Sequence, residues 1–188
     1  MITFFIKQGG KMNLPNKITI FRLFLIPIFV ALFFIGENGY IWSGIIFIIA
    51  SFTDFIDGYL ARKLNETTNL GAFLDPVADK VLVFSALILL AESGVIPSWS
   101  VILIIGRETL INGFRLIAIE KGAVISASYL GKIKTMTQMI SLVLLLFAPA
   151  LYAFEVIGLI IYWIAVIATL ISGIEYVYQG RDLFSDRQ

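Results

Sequence analysis

Three apolar stretches in this chain run into charge before they are long enough to cross a bilayer. Residues 41–53 continue for 13 positions before Asp54, residues 81–91 for 11, and residues 95–106 for 12 before Arg107. A bare hydrocarbon span needs about 20 apolar residues. Each stretch is completed by a segment carrying carboxylates or cations, which are costly in lipid unless they face one another or water. Few architectures satisfy this. The charged halves must turn inward around a polar cavity, leaving the apolar halves for lipid. The chain is 59% hydrophobic and 14% charged, with a mean hydropathy of +0.94, against about 45–50% and 25% in a soluble domain. It reads as an all-α integral membrane protein.

Six membrane-crossing helices account for the apolar runs, at about residues 17–35, 41–62, 70–91, 98–120, 131–151 and 156–178. The connections at 36–39, 92–94 and 149–155 carry no lysine or arginine. The other side collects Lys7, Lys11, Lys17, Arg22, Arg62, Lys63, Lys80, Lys121, Lys132, Lys134, Arg181 and Arg187. That asymmetry puts both termini in the cytoplasm, with the cavity opening there. Helices five and six are apolar almost throughout and read as scaffold. Gly44, Gly58, Gly71, Gly113 and Gly173 would let helices approach closely. Tyr40, Trp42, Trp99 and Tyr152 fit an interfacial aromatic belt. Residues 1–11 are too short and polar for a signal peptide and read as an extension or alternative start before a membrane domain at 12–188.

Neither cysteine nor histidine occurs. Disulfides, thiolate or imidazole zinc sites, and Ser-His or Cys-His nucleophiles are thereby excluded. The net charge of +1 says nothing about partners, and no nucleic acid is expected. Chemistry falls to oxygen donors, which favour hard divalent cations. Asp54 and Asp57 are three apart and Asp75 and Asp79 four apart, so each pair shares a helical face. Two carboxylates about 5 Å apart repel by roughly 3 kcal/mol at an effective dielectric near 20. The four together call for cations, suiting one or two divalent ions. Gly58 and Ala61 leave that helix face low enough for a bulky ligand, and the forked Arg62 fits a phosphate. Asp79 is placed to accept a proton. Pro76 reads as a first-turn or kink residue, with Asp75 as a candidate cap.

The pattern D-x-x-D-G-x-x-A-R-x(8)-G-x(3)-D-x(3)-D is met without a gap by Asp54, Asp57, Gly58, Ala61, Arg62, Gly71, Asp75 and Asp79. It resembles the signature of the CDP-alcohol phosphatidyltransferases, which also have six helices. The resemblance implies a metal-dependent enzyme that displaces CMP from a CDP-alcohol with the hydroxyl of a second alcohol. Carried across, the family roles make Asp54, Asp57 and Asp75 the principal ligands of two Mg2+ or Mn2+ ions. Asp79 becomes a further ligand and the general base, and Gly58, Ala61, Arg62 and Gly71 form the CDP pocket. NLPNKITIFR (13–22), GRETLINGFR (106–115) and LGKIKTMTQ (130–138) resemble the phosphatidylglycerophosphate synthase branch, placing Asn16 and Thr19 near the nucleotide. The implied donor is CDP-diacylglycerol and the acceptor sn-glycerol 3-phosphate. A homodimer in the plasma membrane is the further implication.

A phosphate-bearing acceptor needs cations of its own. Arg107 and Arg115 are eight apart, on one broad face of helix four, and Lys132 and Lys134 open helix five on the same side. These four are the candidate acceptor-phosphate site. Arg107 beside Glu108 also fits a charge pair that only offsets burial, with Glu108 orienting the arginine. Rival readings are a sibling enzyme acting on phosphatidylglycerol, serine or inositol phosphate, a divalent-cation transporter, and a scaffold without activity. The transporter leaves Gly58, Ala61 and Arg62 without a purpose and predicts a polar path continuing outward, where the sequence offers only apolar runs.

Overall fold

The computed structural model describes residues 14–36, 38–64, 69–120 and 129–180, so residues 1–11 lie outside it. Within these, the chain forms six α-helices: α1 (Leu14–Phe33), α2 (Gly39–Leu64), α3 (Asn69–Glu92), α4 (Ser98–Glu120), α5 (Tyr129–Leu146) and α6 (Tyr152–Gly180). A short 3-10 turn, Ala148–Ala150, joins the last two. No strand occurs among the described residues.

The helix ends have local causes. α3 stops at Glu92 because Gly94 adopts φ +75°, a backbone conformation that costs glycine little. Its N–H reaches the Ala91 carbonyl at 3.0 Å and that of Val95 reaches Leu90 at 3.0 Å, the paired bonds of a Schellman close. Helix five ends at Leu146 rather than near 151, because Pro149 has no N–H to continue the ladder. Pro76 lies well inside α3, which starts at Asn69, so it is neither a first-turn residue nor preceded by a capping Asp75. It removes the donor that the Ala72 carbonyl would otherwise meet. Hydroxyl residues along the apolar helices satisfy themselves internally. Ser51, Thr109, Thr137 and Thr169 each donate to the carbonyl four residues back, at 2.7–2.9 Å.

Two antiparallel hairpins, α1–α2 and α5–α6, make the most extensive contacts, and α3 and α4 close the bundle between them. In the first hairpin Phe29 meets Phe47 with ring centroids 5.9 Å apart, both fully buried. In the second, a Cβ at Gly158 would stand 2.9 Å from Leu145 Cδ2 and 3.2 Å from Leu144 Cβ. Gly44 lets α2 approach Phe147 in the same way. Gly113 faces open space, so it is no packing glycine, and Gly173 makes room for the Arg107 side chain rather than for a helix backbone. The side chains around Gly58 and Gly71 lie outside the described residues.

The interior is filled by Leu82, Leu87, Leu90, Ile104, Leu142, Leu145 and Tyr162, yet the outside is equally apolar. Phe24, Ile102, Leu110 and Ile174 are 65–71% exposed, and patches of this extent mark a surface that meets something other than water. One stretch, Tyr152–Tyr176 of α6, is long and apolar enough to cross a membrane, with mean hydropathy 2.4 over its best window. Ile18–Phe33 and Gly39–Thr53 are shorter apolar helices. Gly158→Leu should lower stability by about 1–3 kcal/mol through overpacking of the α5–α6 seam, seen as a lower unfolding temperature in detergent. Gly113→Ala should leave it unchanged or slightly raised.

Candidate active site

The carboxylates of α3 are met by α1. Thr19, fully buried, donates its hydroxyl to Asp75 Oδ1 at 2.5 Å across 56 residues of sequence. Asp79 follows one turn further along α3, half-buried like Asp75. Arg22, three residues beyond Thr19 and on the same face of α1, is also fully buried. Asp54 and Asp57 belong to the last three turns of α2, which packs on α3.

Further cations gather on α4 and α5, and α6 meets them with hydroxyls. Glu108 of α4 is the hub: its Oε1 accepts from Arg107 Nη1 at 3.1 Å and from Lys134 Nζ of α5 in a shorter contact. Lys134 is only 4% exposed. A lone ammonium there would bear a heavy desolvation cost, which the carboxylate offsets. Arg107 also donates through Nη2 to Ser172 Oγ of α6 at 2.9 Å. Arg115 donates through Nη2 to the Tyr176 hydroxyl at 2.6 Å. Both guanidinium groups lie over the Tyr176 ring, at 5.8 and 5.5 Å from its centroid. Lys80, next to Asp79, is within electrostatic reach of Glu108, Arg115 and Arg107. The acidic and basic groups therefore share one end of the bundle.

The sequence model of the CDP-alcohol phosphatidyltransferases matches residues 12–171. The chain belongs to that family. Among its curated relatives, a Bacillus subtilis (strain 168) protein is 44% identical, the alignment covering 87% of this chain and 93% of the relative. One from Wigglesworthia glossinidia brevipalpis is 41% identical over 93% of this chain and 98% of its own. A third, from Shigella flexneri serotype 5b (strain 8401), is 39% identical over 90% and 95%. All three are named CDP-diacylglycerol–glycerol-3-phosphate 3-phosphatidyltransferase.

Within this CDP-alcohol phosphatidyltransferase, three of the four cations expected at the acceptor phosphate converge: Arg107, Arg115 and Lys134. Lys132 does not join them. It is exposed on α5, two residues from Lys134 and hence on a different face. Thr19, expected beside the nucleotide, sits against Asp75. Asn16 belongs to α1, Asp54, Asp57, Gly58, Ala61 and Arg62 to α2, and Gly71 to α3. The placement of their side chains lies outside the described residues.

Sequence reasoning missed the contribution of α6. Thr169, Ser172 and Tyr176, at 1%, 0% and 3% exposure, form a buried polar stripe on a helix read as plain scaffold. Their spacing of three and four was visible, but hydroxyls that bond their own helix give the same pattern. Also unforeseen is the buried contact of Ser100 with Tyr162, hydroxyl to hydroxyl at 2.5 Å, which ties α4 to α6 nearer the opposite end. Glu108→Ala should destabilise the fold by about 3–5 kcal/mol, since it strands Lys134. Exposed Glu92→Ala should stay within about 0.5 kcal/mol. Denaturant unfolding of the two variants side by side in one detergent measures the difference.

Proposed function

We propose that this chain transfers the phosphatidyl group of CDP-diacylglycerol to sn-glycerol 3-phosphate, forming phosphatidylglycerophosphate and CMP. The observation carrying the proposal is the junction of two halves at one end of the bundle. A carboxylate half bears the unbroken family signature, and a cation half suits a phosphorylated acceptor. The shared name of relatives 39–44% identical over most of the chain supports the same donor and acceptor.

The donor set is all oxygen and fits a hard divalent cation: Asp75 and Asp79 on one face of α3, with Asp54 and Asp57 one turn apart on α2. Thr19 spends its hydroxyl proton on Asp75 Oδ1, orienting that carboxylate and leaving its second oxygen for a ligand. When bound, a pair of Mg2+ or Mn2+ ions would neutralise the donor's pyrophosphate and make its phosphorus more electrophilic. Arg62, with Gly58, Ala61 and Gly71, would seat the CDP moiety. Arg107, Arg115 and Lys134 would hold the acceptor's phosphate dianion. The acceptor's 1-hydroxyl then gives its proton to Asp79 and attacks the β-phosphorus. The bond from that phosphorus to the bridging oxygen breaks, and CMP leaves with the electron pair. Alignment and charge compensation supply the rate, as in other phosphoryl transfers.

The long lipid substrate and the apolar exterior support an integral membrane protein. In this reading the six helices cross the plasma membrane, both termini and the polar cavity face the cytoplasm, and residues 12–188 act as one domain. A homodimer accords with the family resemblance. A cation-conducting reading has less support, because Phe29, Phe47, Leu87, Leu90 and Leu145 fill the core beyond the aspartates at 0% exposure.

An acceptor panel with labelled CDP-diacylglycerol tests the assignment. Glycerol 3-phosphate should release CMP, while serine, inositol phosphate and phosphatidylglycerol should not. Asp57→Asn or Asp75→Asn should abolish turnover, and unchanged activity with metal present would refute the carboxylate assignment. Arg115→Ala should raise the KM for glycerol 3-phosphate by about 10- to 100-fold, as loss of a charge-assisted bond implies.

A further inference from the structure

Two arginines on one face of α4 need support, and the kind of support decides what else they can bind. A carboxylate beside each would hold it firmly, but would also neutralise it and repel an incoming anion. Among the described residues, the ion pairs give Arg107 and Lys134 a single shared carboxylate, Glu108. The remaining support comes from α6 and is uncharged.

Ser172 Oγ donates its only hydrogen to the Thr169 carbonyl at 3.1 Å, so the face it turns to Arg107 Nη2 at 2.9 Å is purely an acceptor. Tyr176 accepts from Arg115 at 2.6 Å and offers its ring to both guanidinium groups. Gly173 lies between these two residues. A Cβ there would stand 3.2 Å from Arg107 Cγ, so the glycine leaves the arginine's course open. Positions 172, 173 and 176 thus work as one face of α6. Burying hydroxyls at 0% and 3% exposure in so apolar a helix is costly without partners, and their partners across the seam are the arginines. Meanwhile Nε of Arg107 and Nε of Arg115 are buried with no acceptor among the described residues, so neither guanidinium has spent all its donors.

We infer that Tyr176, seconded by Ser172, is a positioning residue for the acceptor phosphate. It holds the Arg107 and Arg115 guanidinium groups in register without adding a carboxylate to the one that Arg107 and Lys134 share, so that a phosphate dianion supplies the negative charge that Glu108 alone does not. The inference rests on the acceptor reading proposed above. It makes α6 a determinant of specificity: an acceptor without a phosphate leaves Arg107, Arg115 and Lys134 with the single carboxylate of Glu108 among them.

The test uses the full chain in nanodiscs, comparing wild type with Tyr176→Phe, Tyr176→Leu and Ser172→Ala. Tyr176→Phe keeps the ring and removes only the hydroxyl. It should raise the KM for glycerol 3-phosphate about tenfold, the effect of one bond to a charged group. The kcat should hold within about twofold, and the KM for CDP-diacylglycerol should not move. The inhibition constant of inorganic phosphate, competing with the acceptor, should rise in the same ratio. Tyr176→Leu, which also removes the ring, should raise both further, by about threefold more. Ser172→Ala, a smaller change, should reproduce the direction if the tyrosine variants fold poorly. An unmoved acceptor KM in both Tyr176→Phe and Ser172→Ala, with wild type active, overturns the positioning role alone. So does a fall in kcat with both KM values unchanged. Wild-type protein that releases no CMP on adding glycerol 3-phosphate overturns the function and this inference together.

Discussion

Burying charge in a bundle that is apolar inside and out is the constraint that shapes this protein. An ammonium or guanidinium removed from water loses several kcal/mol unless a partner restores it. Glu108 is that partner for Lys134 and Arg107, and in serving both it bridges α5 and α4 through their side chains. Arg107 and Arg115 in turn draw α4 against α6 through Ser172 and Tyr176. On the other side of the bundle Thr19 ties α1 to α3 through Asp75. The polar end is therefore assembled by side chains that each need a specific partner. The opposite end relies mostly on complementary shapes, as where Gly158 meets Leu145 and Phe29 meets Phe47, beside the hydroxyl contact of Ser100 with Tyr162.

This division gives the two ends different tolerances. An apolar core accepts swaps that preserve volume, whereas the polar end penalises any change that leaves a charge alone. In the proposed function it also separates the substrates. The first three helices bring the carboxylates that suit divalent cations, and α4 and α5 bring side-chain cations that suit a phosphate, met by the hydroxyls of α6. Lys80, beside Asp79 and within reach of Glu108, Arg107 and Arg115, lies on the boundary. In the proposed function, metal ions held by the carboxylates would compensate the donor's diphosphate, and the cations of α4 and α5 the acceptor's phosphate.

Much of this was legible along the chain. The six helices follow from apolar runs and their turn residues, with Gly94 closing α3 and Pro149 cutting α5 short. The signature from Asp54 to Asp79 is local, two helix faces and the connection between them, so spacing alone was enough to pair its carboxylates. Other features were ambiguous for identifiable reasons. Gly44 and Gly113 look equally suited to packing, but of the two only Gly44 faces neighbouring side chains. Lys132 and Lys134 look alike in sequence, yet two residues on a helix turn a side chain through more than half a circle. Pro76 resembled a helix start, and only the onset of α3 at Asn69 made it an interior residue.

By itself, then, the sequence determined the helical class, the spacing of the carboxylates and the kinship, because each rests on periodicity or on identities close together in the chain. The tertiary structure alone decided who meets whom: Thr19 with Asp75, Lys134 with Glu108, Ser172 with Arg107, and Tyr176 with Arg115. These partners stand between 26 and 65 residues apart. No local preference selects among so many possible pairs. The choice is made by which faces remain together once the hairpins have packed, and by the cost of leaving any buried charge without its counterpart.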